Sequence, residues 1–154
     1  MRLRELLLNG IMNTRLFEMA FDRQTAKNKV TSLSPLIFDH LLKLWVLNSP
    51  QTANHWYSEI DSWLNQIDNI YLKSSKKKPS KQDLYNWLIF DSAPHYSEEY
   101  MNHVITKWKR KEYATVPLRD FDTDVVLNQI LSVIDKICMD ISNNNFTTID
   151  DYLK

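Results

Sequence analysis

Glycine is almost missing from this chain: Gly10 is the only one in 154 residues. Tight hairpins, phosphate-cradling loops and nucleophile elbows need glycine, because only glycine reaches positive φ or admits a ligand against the backbone without steric cost. Its scarcity argues against a β-rich fold, and the glycine-rich nucleotide-binding motifs are absent, which removes Walker-type and Rossmann-type enzymes. Cysteine is nearly missing too. A lone Cys138 forms neither an internal disulfide nor a multi-cysteine zinc cluster, so a reducing, cytoplasmic setting is expected. Long apolar runs are lacking: Leu6–Leu8 follows Arg2 and Arg4 but is broken by Glu5, Asn9 and Gly10, too short for a signal-peptide core. No stretch approaches the roughly 18 apolar residues of a membrane span, and no membrane partner is expected. Net charge is lacking as well, with 19 basic and 19 acidic residues.

What is present is apolar and aromatic. Hydrophobic residues make up 44% and aromatics 12% of the chain, enough to fold one domain without staples. The periodicity is helical throughout, predicting an all-α, single-domain bundle of five or six helices over residues 1–154. A first helix is predicted over residues 2 to about 26, with Leu3, Leu7, Ile11, Met12, Leu16, Met19 and Ala20 on one face, although Met12 is a second candidate start. Ser34 and Pro35 form a cap-and-start signal for a second, central helix from Leu36 to Leu47. Ser49 and Pro50 repeat that signal. The third helix then places Ala53, Trp56, Ile60, Trp63, Ile67 and Ile70 at alternating spacings of three and four, predicting a buried seam led by Trp56 and Trp63.

A Lys-rich linker, KSSKKKPSK, is predicted at 73–81. Ser80 and Asp83 then form a capping box opening a short helix through Leu84, Tyr85, Trp87, Leu88 and Phe90, followed by a turn from Asp91 to His95. Ser97, Glu98 and Glu99 open a helix carrying Met101, Val104, Ile105 and Trp108 and ending in KWKRK. Acids at its front and bases at its back suit the helix dipole. After a connection around Pro117, a last long helix starts near Asp122 or Thr123 and presents Val126, Ile130, Val133, Ile134, Ile137 and Ile141, with Asn143–Asn145 as its stop. Thr147 and Asp150 suggest a second capping box in a final turn.

The charges are segregated. Basic and acidic residues balance over 1–72, bases exceed acids by five over 73–119, and acids exceed bases by five over 120–154. The basic part, Lys76, Lys77, Lys78, Lys107, Lys109, Arg110 and Lys111 with the aromatic Trp108, is the candidate interaction surface. Such interleaving also suits phosphate contacts with base stacking, so nucleic-acid binding through 73–81 and 107–111 is the alternative. In a helix-turn-helix, however, the second helix's amino end meets the bases, and here that end carries Glu98 and Glu99.

Catalytic and metal signatures are weak. His95, Glu99 and His103 are spaced four apart, but these two steps span about 12 Å of helix, so the outer two cannot share an ion. His40 and His55 suggest no catalytic partner by spacing, and Cys138 lies among isoleucines as a small buried hydrophobe. The sequence therefore predicts a small non-catalytic interaction module, an inhibitor, adaptor or regulatory subunit, with no cofactor and another protein as partner. Self-association and an unrecognised enzyme are the further alternatives.

Overall fold

The computed structural model describes residues 3–73, 79–92 and 96–153, with side chains described from residue 23 onward apart from 72 and 73. The chain forms α1 (Leu3–Val46), α2 (Pro50–Lys73), α3 (Lys81–Tyr85), a π-helical turn (Asn86–Phe90), α4 (Glu98–Arg110), α5 (Thr123–Ser142) and a closing 3-10 turn (Ile149–Tyr152). Among the described residues there is no strand, and the all-α bundle expected from the sequence is what forms.

The two amino-terminal helices predicted from the sequence are one helix, with Pro35 in its interior. The reason is burial. Ala26, Val30, Leu33, Ile37 and Leu41 make one buried stripe that crosses the proline without losing phase, and Phe38, Leu42 and Val46 extend it. Ser34, expected as a cap, is fully buried; its hydroxyl donates to the Leu88 carbonyl at 2.5 Å and lies 2.7 Å from the Tyr96 hydroxyl. The predicted outer face from Leu3 to Ala20 lies outside the described side chains.

α2 begins at Pro50 as predicted, behind Ser49, whose carbonyl accepts from Thr52 and Ala53. Its buried seam is Trp56, Ile60, Leu64, Ile67 and Tyr71, whereas Ala53, Trp63 and Ile70 are half-buried at its edge. This corrects the predicted heptad. A straight helix of 3.6 residues per turn drifts by about 20° per heptad from a strict 3.5 repeat, so the buried stripe moves from Trp63 to Leu64 and from Ile70 to Tyr71.

The Ser80 capping box is present: Ser80 Oγ accepts from the Asp83 amide at 3.0 Å and Asp83 accepts from the Ser80 amide at 3.2 Å. Past Tyr85 the helix widens to a π turn, closed by Asp91 N–H donating to the Asn86 carbonyl at 2.9 Å. That turn sends three consecutive residues, Trp87, Leu88 and Ile89, into the core, and leaves Phe90 exposed.

α5 is capped by Asp122, whose Oδ1 accepts from Asp124 and Val125. All six residues of its predicted face are buried, with Cys138 among them. The chain leaves at Asn144, which takes a φ of 58°, a conformation asparagine tolerates better than most residues. The predicted capping box at Thr147 and Asp150 is not formed; Thr148 holds the cap position without a side-chain bond. Asp61 of α2 takes over that role, accepting from the Ile149 amide at 2.7 Å, so the turn is capped across the fold rather than locally.

The connection around Pro117 lies over the carboxyl end of α1. Asn48 donates to the Pro117 carbonyl and Arg119 to the Val46 carbonyl, each at 2.8 Å, and Arg119 Nε reaches the Leu47 carbonyl. These bonds engage carbonyls that a helix end otherwise leaves open.

Candidate functional site

α4 carries most of the candidate surface. Ser97 Oγ caps it through the Tyr100 amide at 3.1 Å, and Met101, Val104, Ile105 and Trp108 bury one face. The opposite face exposes two residues per turn: Glu98 and Glu99, Asn102 and His103, Thr106 and Lys107, Arg110 and Lys111. The stripe therefore runs from acid to base along one helix. At its acidic end Glu98 sits beside Asp124 and Asp122 of the α5 cap, and Asp124, through a side-chain hydrogen bond and its charge, holds the Glu98 carboxyl above its ordinary range.

The structure divides the predicted cationic cluster into three roles. Trp108 is only 7% exposed, with the Lys43 ammonium 5.4 Å from its ring and Tyr113 meeting it edge-on, so it offers no face to a nucleobase. This corrects its place in the surface. Lys109 is a structural cation: its ammonium donates to the carbonyls of Tyr113, Ala114 and Val116 and holds the segment that follows α4. Lys107, Arg110 and Lys111 are exposed and, among the described residues, make no ion pair. Together with His103 and Thr106 they line a shallow concavity of about 220 Å³.

The other predicted cations do not join them in the described part of the fold. Lys76, Lys77 and Lys78 lie outside the described residues, as does His95 of the predicted histidine series. Lys81 is engaged with Asp135 of α5 at 2.6 Å.

A second cluster was missed by sequence reasoning. The two oxygens of Glu59 contact Nε2 of His40 on α1 and Nε2 of His55 on α2. One half of it was legible, since His55 and Glu59 are four apart on one helix; the His40 contact depends on how α1 and α2 pack. His40 also meets the edge of Trp63 at 4.6 Å between ring centroids. Its Nδ1 is buried and has no hydrogen-bond partner. Among the described residues no three His, Cys, Asp or Glu side chains converge on a metal position. The cluster is a clasp between two helices.

Burial, with the nearby Lys43 second, lowers the His40 pKa below its ordinary 6.5 in spite of the Glu59 carboxylate. A base whose folded pKa lies below its unfolded value binds protons more readily when unfolded, so its neutral form favours the fold. That stability is complete above about pH 6.5 and declines as pH falls through 6.5 toward the lower folded value. Thermal melts at stepped pH should show wild-type stability falling across this window, and His40→Gln should flatten the decline. Equal slopes in the two proteins would exclude His40 as its source.

Cys138 is fully buried, and burial pushes its thiol up to about 12, so it stays protonated at neutral pH and is no nucleophile. Among the described residues no helix is long and apolar enough to cross a membrane. The chain matches no family model, and comparison with curated proteins and with solved structures finds no match.

Proposed function

We propose that the chain is a non-catalytic interaction module that docks an acidic partner protein through the basic end of α4. The observation that carries this reading is the concavity of Lys107, Arg110 and Lys111, three exposed cations with no ion pair among the described residues. Like charges three and four apart on a helix repel one another by about 0.2–0.5 kcal/mol per pair, and an acidic ligand relieves that repulsion.

Two competing occupants fit less well. A polyanion tracking along α4 would meet Glu98 and Glu99 about 18 Å from Arg110, and the burial of Trp108 removes the stacking platform that single-stranded nucleic acid uses. A second copy of this chain pairing acidic to basic ends would gain only a few exposed ion pairs. Each is worth about 0.2–1 kcal/mol, against an association cost of about 4 kcal/mol or more.

The test is affinity capture from the native cell with two baits, the wild type and the triple variant Lys107→Glu, Arg110→Glu, Lys111→Glu. All three side chains are exposed, so the variant should keep its helical spectrum. The expected outcome is an acidic protein retained by the wild type and lost from the variant. Retention of the same proteins by both baits would remove the basic end of α4 from the account.

A further inference from the structure

Within that docking reading, on which it rests, we infer that the concavity on α4 recognises a phosphorylated side chain of the partner rather than a run of carboxylates. The five lining residues are His103, Thr106, Lys107 and Arg110 of α4 and Lys111, which caps its carboxyl end with a backbone outside the helical region. Within α4, residues three and four apart have Cβ atoms about 5–6 Å apart, which gathers Lys107 and Arg110 on one wall of the concavity, and Lys111 borders the same space. Arg110 supplies a planar fork of donors that matches two phosphate oxygens, which a lysine cannot do. The Thr106 hydroxyl is committed to the Asn102 carbonyl at 2.7 Å, and Lys107 and Lys111 add point charge beside the fork.

The charge count favours the same ligand. Three formal positive charges are gathered within little more than one turn, and no acidic side chain among the described residues is paired with them. A carboxylate brings one negative charge and two oxygens, whereas a phosphoserine brings about 1.5 to 2 negative charges and three acceptor oxygens. Lys109 makes the contrast within the same helix: its ammonium is already surrounded by three carbonyl acceptors, and those of its neighbours are not. The confinement of the cations to one end of the stripe suits a single dianion better than an extended phosphate backbone.

The experiment titrates the isotopically labelled full chain with four probes and follows its amide resonances. The probes are a short peptide bearing one phosphoserine, the same peptide with serine, a glutamate-rich peptide of equal net charge, and a single-stranded oligonucleotide. The phosphopeptide is expected to shift the amides of His103 to Lys111 and to bind about tenfold more tightly than the glutamate-rich peptide, reflecting one to three added charge-assisted hydrogen bonds. Arg110→Lys, which keeps the charge and loses the fork, should weaken both acidic peptides and the phosphopeptide more, so that the preference narrows. Equal affinity for the two acidic peptides at this surface would overturn the phosphate inference and leave acidic docking standing. Failure of both peptides to shift these amides would overturn the inference and the docking reading together. Tighter binding of the oligonucleotide than of the phosphopeptide would replace both with a nucleic-acid function.

Discussion

Phe38→Ala is expected to destabilise the fold by about 3–5 kcal/mol, the usual cost of truncating a buried phenylalanine and leaving a cavity that the surroundings only partly fill. Phe38 is fully buried on α1, in the stripe that Pro35 interrupts in sequence but not in space. Tyr96 meets its ring edge-on at 4.4 Å between centroids, and Tyr100 lies at 6.0 Å, so aromatic contact from the α4 side adds to simple area burial. Collapse of the cavity is resisted because the Tyr96 hydroxyl is anchored to Ser34, one turn before Phe38. Urea unfolding followed by circular dichroism measures the loss. A loss under about 1 kcal/mol would place Phe38 outside the core.

The second large effect has the opposite sign. Pro35→Ala is expected to stabilise the protein by about 2 kcal/mol. Within a continuous helix, proline costs about 3 kcal/mol relative to alanine, because it removes a backbone donor and its ring crowds the carbonyl four residues earlier, here that of Thr31. Greater freedom of the unfolded alanine chain takes back about 0.4–1 kcal/mol. The denaturation midpoint should rise with an unchanged slope against urea, since the surface exposed on unfolding stays the same. Had Pro35 opened a separate helix behind a Ser34 cap, alanine there would be neutral or slightly harmful. A fall in stability would therefore restore the two-helix reading of this segment.

The contrast between Ser34 and Ser80 explains how far local pattern carries. Both look like helix caps in the sequence. Ser80 is one, because its hydroxyl is exposed and finds only the local Asp83 amide, while the hydroxyl of Ser34 is drawn into the core by Leu88 and Tyr96, more than fifty positions away. The buried face of α5 was readable because its isoleucines and valines depend on one helix's own period. Trp63 was misplaced by one position because a heptad and a straight helix part company over that length. At the candidate site, charge was legible and its use was not: nothing in KWKRK distinguishes Lys109, which binds backbone carbonyls, from Lys107 and Arg110, which do not. Likewise the amphipathic spacing placed Trp108 with Val104 and Ile105, yet the surrounding lysines drew it into the predicted surface.

Acidic docking at α4 is tested most directly by the association rate between the captured partner and this chain, measured at about 50 to 300 mM salt for the wild type and for the triple Lys107, Arg110, Lys111 to Glu variant. Exposed charges steer the encounter of oppositely charged surfaces, so reversing them acts on the rate of association. The account predicts that the wild-type rate falls at least tenfold over this salt range and that the variant associates at least tenfold more slowly at low salt with little salt dependence. Equal association rates for the two proteins at low salt would contradict it.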